Sequence, residues 1–429
     1  CDEKTGEIYP QVIKNIQARF KKAILNNANL YVNDLTNWKY NDKNMLLDNS
    51  ITKTIQKIDN HLYRLLKSFE MLTYINPINV NSEKARFFKS KFTVNPNFKY
   101  KPIKINPYEL TKSLHSIDTT QIEDITIRHL YESVITGCID KINLLSSIGT
   151  DKFLYNSLRY FGRPNKVDIR NAEYILLLPE IKEENIRGQR FGVDKAKEIF
   201  EEAFENYGFK GKIKVDKKSL STVMVINSTK TVVLKDGATF SQNELQYLAE
   251  HEIGVHMVTT MNATNNKLKI FSVGLPINTR TGEGMAVLSE YLSGNFTMNR
   301  LRELALRVVA VDLMCNGSDF KECFNSLVQD YKIEHNRAYN LVTRVYRGGG
   351  FTKDYLYLNG FSQLFKFWQD GNDLTPLLVG KTSIGFYNTI VEMIDRNLIE
   401  KPKFITKSFA KPRTELNNEL FDYILSGLK

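Results

Sequence analysis

Two histidines and a glutamate stand together in the segment His251-Glu252-Ile253-Gly254-Val255-His256, a HExxxH arrangement with the histidines five residues apart. A hydrolytic zinc site needs three protein ligands and one open position for water. It also needs a carboxylate to take the proton of that water, and Glu252 is the candidate. In the commoner HExxH motif the histidines are four residues apart and share one helix face. A spacing of five leaves them about 140° apart on a regular α-helix. Local widening to i→i+5 hydrogen bonding restores a common face, and such π-bulges favour functional sites. Gly254 makes the distortion easier. The spacing therefore predicts an irregular helix from His251 to His256; a regular one would argue against a metal site. The competing reading is a pair of ordinary helix histidines. Against it, two of the six histidines in the chain flank a glutamate in an otherwise apolar stretch.

The third ligand must come from elsewhere. Downstream, residues 281–291 read as a helix opening near Thr281, with Glu283 and Glu290 seven residues apart on one face. Either carboxylate could reach the metal, and either could equally be a solvated side chain. A transition-state oxyanion would need a further donor, for which Tyr355, Tyr357 and His335 are candidates. A substrate carboxylate would suit a planar arginine. Arg344, Arg347 and Lys353 flank a glycine run whose backbone can approach a ligand closely; the alternative is a basic surface turn.

Stepping outward, Ser241 with Glu244 three residues on forms a capping box, which starts the helix leading into His251. Before it lies the best strand evidence: 212–215, 221–226 and 231–234, with a turn at 227–230. Ala196, Ile199, Phe200, Ala203, Phe204 and Tyr207 mark an amphipathic helix ended by Gly208. Residues 172–178 read as a short strand, following a turn at 159–164. Helices are expected at 10–75, 107–158 and from Thr297 onward. The proline-, asparagine- and lysine-rich stretch 77–107 reads as an extended connector. Three regions result: a helical N-terminal region at 1–76, the connector at 77–107, and a catalytic domain at 108–429.

The 429 residues are 42% hydrophobic and 25% charged, a globular rather than disordered composition. The net charge of +11 attracts acidic partners, although a solvated lysine-rich surface would give the same number. No apolar run reaches the length of a membrane span. The cysteines, Cys1, Cys138, Cys315 and Cys323, show no metal-ribbon spacing and read as reduced thiols. The chain starts at Cys1. One reading is a bacterial lipoprotein anchored to the membrane through an acylated Cys1; the other is a trimmed chain, cytoplasmic in location.

At the residues of the metal motif the sequence resembles the tyrosine carboxypeptidase family that includes the microtubule-associated tubulin tyrosine carboxypeptidase. The matching pieces are residues 251–256, Asn262, Gly282-Glu283-Gly284-Met285-Ala286, residues 344–349, 351–354 and 357–360, and residues 95–100 upstream. The resemblance implies a zinc metallocarboxypeptidase with one ion held by His251, His256 and Glu283, and Glu252 as base. It favours Glu283 over Glu290 as third ligand. Gly282 and Met285 depart from the family pattern without touching the ligand chemistry.

The expected fold is thus α+β: a mostly helical, zincin-like metallopeptidase with a small β-sheet before the active-site helix. The expected partner is a peptide or protein C-terminus on an acidic tail, not a nucleic acid, with Arg344, Arg347, Lys353 and Tyr357 as substrate-binding residues. Two other readings stand beside it. One is a non-catalytic basic binding protein with a structural zinc, and the other a zinc endopeptidase or amidase.

Overall fold

The computed structural model describes residues 51–67, 71–104, 106–178, 189–217, 219, 221–412 and 419–429, with scattered positions between 16 and 31. Cys1 and most of the N-terminal helical stretch expected at 10–75 lie outside the described residues.

The described chain is α+β and mostly helical. Helices α1 (Lys53–Leu66), α2 (Val80–Lys89), α3 (Pro107–His115), α4 (Ile125–Ser146), α5 (Lys152–Phe161), α6 (Lys166–Leu177) and α7 (Val193–Tyr207) precede a small sheet. Its strands are β1 (Lys212–Asp216), β2 (Val223–Ile226) and β3 (Thr231–Lys235), in the order β1-β3-β2. β3 pairs antiparallel with β2 and parallel with β1. The expected turn between β2 and β3 is present, with Lys230 left-handed at φ 51°.

Two expectations are corrected. Residues 172–178, read as a strand, are helical through Leu177 as part of α6. Asn165 caps α6 through the amides of Val167 and Asp168, and the Asp168 carboxylate accepts from the Asn165 amide. That capping box fixes the start of a helix before the apolar run from Tyr174 to Leu178 is reached. The stretch 77–107 is extended only in its second part, because α2 occupies the first and fully buries Phe87. Phe87 packs edge-on against Phe320 and Phe324, so this segment belongs to the core.

After the sheet come α8 (Gln242–Ala249), a π-helical segment (Glu250–Met257) and α9 (Val258–Asn265). α8 starts on the expected capping box, Ser241 Oγ accepting from the Glu244 amide and the Glu244 carboxylate from the Ser241 amide. Helices α10 (Asn278–Leu292), α11 (Met298–Cys315), α12 (Phe320–Gln329), α13 (His335–Tyr346), α14 (Leu356–Gln369) and α15 (Tyr387–Asp395) follow. α10 opens three residues before the expected Thr281, which places Glu283 in its second turn rather than at its positive end.

One hydrophobic cluster runs from Ile55 to Leu425. α10 packs against both the π-helical segment and α14. Its contact with α14 is made through two glycines. A Cβ on Gly284 would stand 2.5 Å from the carbonyl carbon and oxygen of Gly360, and one on Gly360 would stand 2.2 Å from the Arg280 carbonyl oxygen. The two backbones touch, and this contact sets the depth of the helix that carries Glu283.

Among the described residues no helix is long and apolar enough to cross a membrane. Cys138, Cys315 and Cys323 are free thiols, as expected, and burial pushes Cys138 up to about 11.

Gly284→Ala is expected to lower stability by roughly 1–3 kcal/mol through overpacking against Gly360. Gly282→Ala, whose Cβ meets nothing within 4 Å, should raise it by about 0.5–1 kcal/mol. Urea unfolding of both variants checks the pair; equal effects would mean the α10–α14 contact is not close-packed.

Candidate active site

The His251 segment is not a regular α-helix. Residues 250–257 are π-helical, inserted between α8 and α9. The widened turn brings the two imidazoles together, with ring centroids 5.0 Å apart. Widening also leaves carbonyls facing away from the usual amide partners, and threonine hydroxyls meet them. Thr406 Oγ1 donates to the Gly254 carbonyl at 2.6 Å, Thr259 Oγ1 to Val255 at 2.9 Å, and Thr260 Oγ1 to His256 at 2.8 Å. Buried carbonyls without such partners would cost about 1–3 kcal/mol each.

Glu283 reaches this segment from α10. Its Oε2 stands 3.6 Å from His251 Nε2 and 3.5 Å from His256 Nε2. Among the described residues that oxygen is buried and accepts no hydrogen bond. Single ligand atoms from His251, His256 and Glu283 all lie within 4.8 Å of one another. Donors bound to a tetrahedral zinc at ~2.0–2.1 Å stand about 3.4 Å apart. Two imidazole nitrogens and an otherwise unpartnered carboxylate oxygen at this spacing fit a divalent metal of the zinc class.

The remaining oxygen of Glu283, Oε1, accepts from Lys353 Nζ at 2.6 Å. Burial opposes the charge on both groups, and their attraction outweighs it. Glu283 is held well below the usual carboxylate range by Lys353 and then by the two histidines, and Lys353 is held above the usual lysine range by Glu283. Burial also works against a charged His251, yet Glu283, Glu290 and Glu252 bring it up to about 10. Glu252 is buried between the two histidines in sequence, near enough for its charge to act on His251.

Glu290, weighed above as a third ligand, does not join the triad. It accepts from His251 Nδ1 at 2.7 Å and is itself held by Arg300. Sequence reasoning missed Arg300, Glu303 and Arg307. They form a connected set: Arg300 to Glu303 at 3.7 Å, Glu303 to Arg307 at 2.5 Å, and Arg307 over the Tyr357 ring at 4.8 Å. Tyr357 OH receives Lys353 Nζ at 3.1 Å, and Lys353 leads back to Glu283. A closed ring of charges and one phenol thus links His251 to Glu283. Its signal was present in the spacing of Arg300, Glu303 and Arg307 at i, i+3 and i+7 of one helix.

The four basic and aromatic candidates are brought together but are not equivalent. Lys353 and Tyr357 adjoin Glu283. Arg344 makes a two-point contact with the fully buried Asp354, at 2.6 and 3.2 Å, with 21% of its side chain exposed. Arg347 is 4% exposed, donates to Asn76 and lies over the Phe351 ring. Burial and the neighbouring Arg344 bring Arg347 down to about 10. The glycine run beside them faces protein rather than an open site: a Cβ on Gly348 would strike the Phe153 ring at 2.3 Å. Of the oxyanion candidates, Tyr355 OH donates to the Phe161 carbonyl and His335 stacks on Phe92. A cleft of about 1260 Å³ between α7, α8 and residues 405–412 includes Glu250 in its wall but none of the triad.

Fold and site together define a helical α+β protein in which an irregular helix and a neighbouring helix bring together three residues that could hold a metal ion. Comparison with known proteins narrows this. The chain belongs to the family described as microtubule-associated tyrosine carboxypeptidase, whose profile matches residues 85–428. It is 25% identical over 355 residues to the Mus musculus protein MATCAP2, whose name assigns it provisionally as a tyrosine carboxypeptidase. The match covers 79% of this chain and 59% of that relative, so the chain spans less than two thirds of its length.

Asp354 is 0% exposed and is held below the usual carboxylate range: burial would raise it, and Arg344, Arg307 and Arg347 outweigh burial. Asp354→Asn is expected to cost about 3–5 kcal/mol by leaving buried guanidinium groups uncompensated. A depressed folded pKa contributes stability above the unfolded value of about 3.9, lost as pH falls through the folded value. The urea midpoint should therefore fall below about pH 4, and less steeply in Asp354→Asn. An equally steep fall would assign the acid sensitivity elsewhere.

Proposed function

We propose that the protein is a zincin-like metallocarboxypeptidase that hydrolyses a C-terminal peptide bond. The observation that supports this reading is the convergence of His251, His256 and Glu283, made by a π-helical segment that also carries Glu252, whose charge acts on His251. Bound by these three residues, a zinc ion would polarise the scissile carbonyl and lower the pKa of water towards about 7. Three ligands leave a fourth position, as hydrolytic rather than structural zinc sites do.

In this mechanism Glu252 accepts a proton from the attacking water as its oxygen bonds to the carbonyl carbon. The carbon–nitrogen bond then breaks, and Glu252 passes the proton to the leaving amine. Glu283 is kept ionised by Lys353 and keeps one oxygen for the metal. In this reading the substrate's terminal carboxylate meets Arg344, whose side chain is partly open to solvent, with the buried Lys353, Tyr357 and Arg347 beside it. The net charge of +11 favours an acidic protein tail, and the family description suggests a C-terminal aromatic residue, tyrosine, as the residue released.

Zinc content and release of C-terminal residues from a peptide library, followed by mass spectrometry, test the reading. Glu252→Gln is expected to keep its zinc and lose about 10²–10⁴-fold in kcat. Undiminished release by that variant would sink the mechanism. Equal cleavage of peptides with an amidated C-terminus would make the protein an endopeptidase instead.

A further inference from the structure

His251 has a second partner that the hydrolytic reading does not use. Its Nδ1 lies 2.7 Å from Glu290 Oε1, and Glu290 is 0% exposed. Arg300 grips the same carboxylate at both oxygens, Nε to Oε2 at 2.9 Å and one terminal nitrogen to Oε1 at 2.9 Å. Arg300 is in turn placed by Glu303 and by the Tyr247 ring, 5.4 Å away. An ionised carboxylate only accepts hydrogen bonds. Facing Glu290, the imidazole must therefore donate its Nδ1 proton, which leaves Nε2 to face Glu283 Oε2 at 3.6 Å.

We propose that Glu290, clamped by Arg300, is a positioning residue that fixes the ring and tautomer of His251, so that Nε2 and not Nδ1 meets the metal. This rests on the metal-site reading given above. Such outer partners orient a ligating imidazole and raise its basicity, and their loss typically weakens metal binding 10–100-fold. The geometry also explains why one face of α10 carries two glutamates. Seven residues apart, Glu283 supplies an oxygen to the ion while Glu290 holds the histidine that shares it.

A purely structural role would make Glu290 an anchor for Arg300 alone, and metal affinity separates the two. Zinc dissociation constants are measured by chelator competition on the full chain for the wild type, Glu290→Gln and Asp59→Asn. Asp59 is a buried carboxylate that accepts from the Lys269 and Ile270 amides and from Tyr131 OH, none of them a residue of the proposed metal site. It controls for general loss of stability. The expected result is a 10–100-fold weaker Kd in Glu290→Gln and a change of no more than about twofold in Asp59→Asn. A folded Glu290→Gln chain with wild-type affinity, or an equal loss in Asp59→Asn, overturns the proposal. A wild type that binds no zinc overturns the metal site itself, a distinct outcome. Should Glu290→Gln not fold, nitrogen-15 NMR of the zinc-loaded wild type decides, with the His251 signals assigned by their loss in His251→Gln. Nδ1 protonated and Nε2 metal-bound is the expected pattern, and the reverse refutes the proposal.

Discussion

The i→i+5 hydrogen-bond register of residues 250–257 is the constraint on which the site depends. With regular α-helical bonding His251 and His256 would point about 140° apart, and Glu283 could approach only one of them. The wider register aligns the rings at the cost of poorer backbone geometry. The surroundings offset that cost at named atoms. Three threonines, two from the next helical turn and one from the distant residue 406, donate to successive carbonyls of the widened turn. Asn262, one of the residues carrying the family resemblance, donates to the Leu378 and Phe404 carbonyls and accepts from the Phe404 amide. It thereby ties the end of this element to the loop that delivers Thr406.

The second constraint is electrostatic. Lys353 keeps Glu283 ionised, and Glu290 fixes the Nδ1 side of His251 through a 2.7 Å hydrogen bond. Neither partner is free-standing, since a lone buried charge is strongly unfavourable. Each charge is therefore answered by the next through Arg300, Glu303, Arg307 and Tyr357, until the ring closes. The ring spans α10, α11 and the start of α14, so its members come from helices that must already be packed. The α10–α14 glycine contact and the charge ring thus depend on each other.

That dependence explains what could be read in the sequence. The capping box at Ser241, the amphipathic helix ended by Gly208 and the irregular helix at His251 are local patterns, settled within a few residues, and the structure holds each of them. The elements that differ from expectation depend on residues outside them. Residues 172–177 include Tyr174, Ile175, Leu176 and Leu177, apolar enough to suggest a strand, but a capping box seven residues upstream had already committed the chain to a helix. Residues 80–89 sit in a proline- and asparagine-rich stretch, but Phe87 finds partners more than 230 residues away. Glu290 looked like a second candidate ligand because spacing shows only which face a side chain occupies. Which of two glutamates on that face comes close to both histidine Nε2 atoms depends on where Arg300 and Lys353 stand, and those arrive by tertiary packing.

The basic residues around 344–353 also owe their roles to tertiary packing. In sequence they are alike, three cations beside a glycine run. In the fold they differ by what has already claimed them. Arg344 is committed to Asp354 at two points while keeping part of its side chain open to solvent, Arg347 is enclosed, and Lys353 belongs to Glu283. The glycines that suggested a ligand-facing loop instead admit the Phe153 ring and a hydrogen bond from the Gly348 amide to Tyr100 OH. Tyr100 belongs to the 95–100 segment of the resemblance, and Asn95 in the same segment bonds Asp319 and the Lys321 amide. These motif residues therefore act as clamps that hold the 344–354 segment and α12 in place.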